Sequence, residues 1–162
     1  MKRIFILAAF ALCAFAQQPA NGICSQFDTF WKHIYNPSRL VVHDKCTTVT
    51  GVIVDATGGK RKDGVRHEGD GDSHFWLRLS SGQTKYLNAG NISNEGGNLV
   101  IEVNCLYAVT QADAKAACAD WHNPIIIPPV GTKVSITGSW VQDQEHAKWN
   151  EIHPAFSIQI LK

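Results

Sequence analysis

The sequence has no apolar run long enough to cross a bilayer as a helix, no excess of either charge, and none of the short motifs that mark nucleophilic or nucleotide chemistry. Its one unbroken apolar stretch, Ile4 to Ala16, falls short of the ~20 residues that a spanning helix needs. Fifteen Lys and Arg stand against fourteen Asp and Glu, so no general attraction to nucleic acid or acidic membranes follows. Ser80-Ser81-Gly82 does not make a nucleophile elbow, since Arg78 stands where its first glycine belongs, and no glycine-rich phosphate loop follows a strand pattern. There is no Cys-x-x-Cys spacing, which argues against a structural zinc site made of cysteines. Internal repeats and low-complexity tracts are absent too.

What is present begins with an export signal. Met1-Lys2-Arg3 is a basic n-region, Ile4 to Ala16 is a short h-region, and Ala14-Phe15-Ala16 is a small-x-small cleavage site. The pattern predicts a signal peptide over 1–16, cleavage before Gln17, a secreted or periplasmic location and no membrane insertion after cleavage. Lipidation at Cys13 is disfavoured because Leu12 stands where a small residue is required. Loss of Lys2 and Arg3 leaves thirteen basic residues and a mature charge near −1. The remainder, 17–162, fits one domain. Four cysteines survive cleavage, an even number in an exported chain, which points to two disulfides. Of three possible connectivities, nearest pairing predicts Cys24–Cys46 and Cys105–Cys118; closing the second loop would contribute about 3 kcal/mol.

Phe27, Phe30, Trp31, Ile34 and Tyr35 recur at helical spacing after Ser25, predicting an N-terminal helix over 25–35 that ends at Asn36-Pro37. Leu40 to Asp55 is rich in β-branched residues and predicts a long first strand, with Gly51 as a bulge or bend. From Thr57 to Gly71 glycines and seven charged residues mark a long exposed loop. Ser73 to Leu79 alternates strictly and reads as a second strand, with Phe75, Leu77 and Leu79 inward. Tyr86 to Gly97 reads as irregular, and Leu99 to Val103 as the third strand. An Ala-rich stretch, Thr110 to Asp120, predicts a short helix capped by Thr110. Two strands follow, one with Val134, Ile136 and Trp140 inward, the other around Ile152, Phe156, Ile158 and Ile160.

Three strands, a helix and two strands form the order of the OB-fold, so the predicted fold is mainly β. In full it is a five-stranded OB-like Greek-key barrel over 40–162, with a short helix between strands three and four and an N-terminal helix. A β-sandwich is the runner-up.

The candidate chemistry lies in two pairs. Asp72 and His74 are two apart and leave the same face of the second strand, and Glu151 and His153 repeat this on the fifth. Apolar residues alternate with both pairs, so parity points them away from the core, onto one surface patch with His146 and Asp143 at its edge. Two imidazoles and two carboxylates suit a divalent metal, zinc first. Asp70-Gly71-Asp72 is similar to a calcium loop, although the full EF-hand pattern is missing, so calcium ranks second. Trp76, Arg78 and Trp149 are the candidate ligand-stacking residues for sugar rings or bases. The leading expectation is an exported binding module for a small molecule, glycan or single-stranded nucleic acid. The alternative class is a metal-dependent hydrolase of phosphodiesters or glycans, since a carboxylate pair can also serve glycoside hydrolysis. Ordinary hydrogen-bonded pairs on a strand surface remain the bland reading of the same residues.

Several pieces beyond Cys46 resemble a family of small, uncharacterised secreted bacterial proteins. They are Thr47 to Gly51, Gly69 to His74, Leu87 to Asn91, Val130-Gly131 with Val134 to Gly138, and Trp149 to Pro154. Asp-Gly-Asp-x-His and Trp-x-Glu-Ile-His-Pro are its most specific marks. The resemblance implies an OB-like barrel and brings no assigned activity.

Overall fold

β-Branched residues on either side of Gly51 give the longest element of the chain. The computed structural model describes residues 20–162 and shows this strand, β1, as Leu40–Val54; the expected signal peptide lies outside the described residues. The other strands are β2 (Arg66–His67), β3 (Ser73–Leu79), β4 (Leu99–Val103), β5 (Lys133–Asp143) and β6 (Asn150–Ile160). They form one sheet in the order β1-β5-β6-β4-β3-β2, and β1 pairs again with β3, so the five longer strands close into a ring that is not a regular barrel. Every neighbouring pair is antiparallel except β4 and β6. Val49, Ile53, Phe75, Leu77, Leu99, Ile101, Val134, Ile136 and Ile152 fill the interior of the ring.

Closure depends on Gly51. This residue pairs with Leu79 on one side and Val134 on the other, and a Cβ there would lie 2.4 Å from the Arg78 carbonyl oxygen. Its role is therefore close approach; the expected bulge sits instead between Val42 and Thr47, where the β1–β5 register shifts. A second shift between Thr137 and Trp140 changes which side chains face inward. Trp140 is consequently half-buried against Tyr86 and His43, Ala155 joins the core, Phe156 packs on Phe30 outside it, and Ile160 is exposed.

The helices differ more from expectation. In place of one helix over 25–35 there are α1 (Ala20–Cys24), α2 (Phe27–Trp31) and a 3-10 turn, Pro37–Arg39. Ser25 donates its hydroxyl back to the Gly22 carbonyl instead of capping forward, which separates α1 from α2. Thr110 to Asp120 holds only a 3-10 turn, Ala112–Ala114, because the Thr110 and Gln111 amides are committed to the Gly69 carbonyl and Cys118 is tied to Cys105. The helix α3 (Ala89–Asn94) forms where irregular chain was expected, through a capping box between Asn88 and Asn91. Similarly, the expected exposed loop carries the short edge strand β2.

Both disulfides have the expected connectivity, Cys24–Cys46 and Cys105–Cys118, as suits an oxidising, extracellular-type environment. Among the described residues no helix is long and apolar enough to cross a membrane. The N-terminal segment and residues 104–123 lock together over the outer face of β4 and β6. Phe30 packs edge-on to Trp121, His33 stacks on Trp121, and the Asn104 side-chain amide donates to the Phe30 and His33 carbonyls.

Candidate metal centre

Alternation sends Phe75 and Leu77 into the ring and leaves His74 on its outer face, with Asp72 two residues earlier on the same side. Antiparallel register sets His74 opposite Glu102 of β4. The parallel register of β4 with β6, Val100 opposite Glu151 and Ile101 opposite Ile152, then brings Glu102 beside His153. Glu102 thus links two strands, β3 and β6, that do not pair with each other.

The two polar pairs do leave the apolar interior, but the expectation that they form an exposed patch is overturned. Asp72, His74, Glu151 and His153 are all buried, the last two completely. The cover of α2, the Pro37–Arg39 turn and residues 104–123 makes the outer face a second, polar interior.

One connected network holds every residue of the expected cluster. His153 Nδ1 is hydrogen-bonded to Glu151 Oε1 at 3.1 Å and lies 3.0 Å from Glu102 Oε2. His153 Nε2 is 3.5 Å from Asp72 Oδ2, and His74 Nδ1 is 3.6 Å from Glu102 Oε1. The Cys105 amide donates to Asp72 Oδ1 at 2.8 Å, and the Trp149 indole donates to Glu151 Oε2 at 2.9 Å. Arg39 bridges the remainder: its Nε donates to Asp143 Oδ2 at 2.8 Å and a terminal nitrogen lies 3.9 Å from Glu102. Asp143 in turn meets Nδ1 of His146, the one exposed member, at 2.9 Å.

Four buried carboxylates, Asp72, Glu102, Asp143 and Glu151, thereby face one guanidinium. Burial, with Glu151 beside it, pushes the Glu102 carboxyl well above its usual range, and burial also raises Asp72. For His153 burial works downward, yet Glu102, Asp72 and Glu151 outweigh it and hold the imidazole well above its ordinary value. His74 goes the other way, pushed down to about 3 by burial with added repulsion from Arg66, His146 and His153. Burial acts to raise Asp143, but His146, the Glu145 and His146 amides and Arg39 keep it below the usual carboxylate range. Arg39 stays charged: desolvation opposes this, and Glu102, Asp143 and Glu151 overcome it.

A group with metal-ligating character lies inside this network. Asp72, Glu102 and His153 each offer a ligand atom within 4.8 Å of the others. Asp72 Oδ2 and His153 Nε2 are buried and face each other in an ion-pair contact at 3.5 Å, too long and poorly aligned for a formed hydrogen bond, and neither atom has another partner. Their 3.5 Å separation is close to the ~3.4 Å between two atoms that each sit ~2.1 Å from a tetrahedral ion. Cys105 and Cys118 also lie near Asp72, but their sulfurs are consumed in a disulfide.

A cleft of about 1020 Å³ opens above the network, with Arg39, His74, Glu102 and Trp149 among its lining and Arg66, Glu95 and His146 along its walls. The proposed stacking residues fare unevenly. Trp149 lines the cleft but is buried and stacked on His146. Trp76 is half-buried and Arg78 exposed, and neither belongs to the cleft, since both lie on the part of β3 that pairs with β1. Asp70 spends a carboxylate oxygen on the Asp72 amide, an Asx turn without the convergence of a calcium loop.

Two central residues escape sequence reasoning, Glu102 and Arg39. Glu102 carried a signal, being the one charge in the strand Leu99-Val100-Ile101-Glu102-Val103, where both faces are buried. No protein family, curated protein or solved structure matches the chain.

Proposed function

We propose that the protein is an exported binding module that holds one divalent cation at Asp72, Glu102 and His153, beneath the cleft. The observation that carries this reading is the pair of facing, unbonded and buried atoms, Asp72 Oδ2 and His153 Nε2. Buried polar atoms without partners are rare and call for an explanation such as an ion. Charge supports it as well, because four carboxylates against Arg39 and the His153 imidazole still leave a deficit of positive charge that a divalent ion offsets. Around His153 the arrangement is that of a metal-ligating imidazole whose second nitrogen is fixed by a carboxylate, here Glu151. Mixed nitrogen and oxygen donors favour zinc, with calcium second.

Export rests on the signal-type N-terminus together with the two disulfides. The OB-like reading rests on the strand order: counting the five long strands along the chain, the ring runs first, fourth, fifth, third, second, with the third and fifth parallel. Kinship with the small secreted proteins that share the Asp-Gly-Asp-x-His and Trp-x-Glu-Ile-His-Pro pieces belongs to the same proposal.

Elemental analysis of protein purified without chelator tests it. About one equivalent of zinc is expected, removable by chelator and restored by dialysis, with Asp72→Asn and His153→Ala each lowering occupancy. At a hundredfold excess over its dissociation constant the ion should add about 2.7 kcal/mol of stability. Protein that arrives metal-free, with no thermal shift on adding zinc, manganese or calcium, would leave the network as hydrogen bonds alone and end the reading.

A further inference from the structure

The cleft also carries information about what it accepts. His74 forms part of its lining, is 3 % exposed, and has an Nε2 with no hydrogen-bond partner. Glu102 Oε1 lies 3.6 Å from the other ring nitrogen, Nδ1, and we place the imidazole hydrogen on that side, which leaves Nε2 as an acceptor. Glu95, 4 % exposed and in the same lining, has an oxygen, Oε2, with no formed hydrogen bond, although the Trp76 indole approaches this carboxylate, and it is a second acceptor. Directly across the β2–β3 ladder from His74 stands Arg66, a donor that forms no ion pair among the described residues.

These groups discriminate between ligand charges. An ammonium would satisfy His74 and Glu95 but meet Arg66. A phosphate would pair with Arg66, and with Lys60 and Arg61 in the same lining, yet face the lone pair of His74 and the carboxylates of Glu68, Asp70, Glu95, Glu102 and Glu145, so the mixed lining suits neither charge alone. A hydroxyl both donates and accepts, so it matches an acceptor and a donor set side by side. Neutral ligands rich in adjacent hydroxyls are sugars. The exposed His146 ring, backed by the buried Trp149 indole 5.5 Å behind it, gives the wall a flat surface against which a sugar ring can pack. Space suffices, since ligand sites typically occupy roughly 300–1,000 Å³.

We infer that the cleft binds a neutral saccharide, its hydroxyls held between His74 Nε2, Glu95 and Arg66. This deepens the binding-module reading and does not depend on the cation, so the two can fail separately.

Saturation-transfer NMR and calorimetry on the disulfide-intact protein, with and without chelator, would test it. The probes are tetrasaccharides of glucose (β-1,4 and α-1,4 linked) and of N-acetylglucosamine, with inorganic phosphate, spermidine and a hexathymidine oligonucleotide as charged competitors. At least one tetrasaccharide should bind, and Arg66→Ala should weaken it at least tenfold while the melting temperature and metal content stay unchanged, because Arg66 is exposed on an edge strand. Glu95→Gln should weaken it as well, and Arg78→Ala, outside the cleft, should not. Binding by the charged probes alone, no binding by any tetrasaccharide, or full affinity in Arg66→Ala would each overturn the inference. Metal content measured on the same samples reports on the cation independently.

Discussion

Arg39 illustrates how much one side chain can decide. Its guanidinium is 7 % exposed, fixed by the Tyr35 carbonyl and by Asp143, and it supplies the permanent cation of a network with four carboxylates. Replacing it by alanine leaves buried charges unpaired, and denaturant unfolding should show a loss of about 3–5 kcal/mol. Asp143 sets an acid limit. Its folded pKa is depressed, so its contribution is fully present above the unfolded value and disappears as pH falls through the folded one. Stability measured from pH 5 down to pH 2 should therefore decline, and Asp143→Asn should flatten that decline; an unchanged slope would remove Asp143 as its source. The sequence made six members of the network legible because Asp72, His74, Asp143, His146, Glu151 and His153 fall in short polar clusters. Arg39 and Glu102 were hidden for a physical reason: each sits alone among unrelated neighbours, and only register across strands reveals a partner.

Elements formed by alternation were the readable ones. β3 and β5 follow period-two alternation, β1 is marked by β-branched residues and β4 by a short apolar run, and these strands together with β6 lie within two residues of their expected bounds. Errors arose where parity breaks, at the shifts around Gly138, and where Ala-rich composition met a tertiary tether, as between Cys105 and Cys118. Nor does alternation reveal what covers an outer face, which is why the polar pairs were expected in solvent. The cover itself is testable through α2. Phe30 is 5 % exposed and touches both Trp121 and Phe156, so Phe30→Ala should cost about 3–5 kcal/mol. Hydrogen exchange should accelerate in residues 104–123 more than in β3. Equal acceleration in both would mean that the cover and the ring unfold as one unit.

For the molecule as a whole, one disulfide joins the N-terminal segment to the ring and the other lies within the cover, and neither links strand to strand. Cys24–Cys46 ties α1 to β1, and Cys105–Cys118 closes the segment whose amide holds Asp72. Removing either bridge by paired Cys→Ser substitution should cost roughly 2–5 kcal/mol in thermal or denaturant unfolding. Loss of the second bridge should also weaken cation retention, whereas loss of the first should leave it intact if the ring alone shapes the site. The parallel contact between β4 and β6 adds a temporal dimension. During synthesis the acidic members Asp72, Glu102 and Asp143 emerge first, and Glu151 and His153 emerge only with the final strand. A nascent chain therefore carries its carboxylates hydrated and unmated, and desolvates them only when the last dozen residues slot between β4 and β5. A chain cut before Asn150 would keep Arg39, Asp72, Glu102 and Asp143 but lack Glu151, His153 and the strand that completes the ring around them.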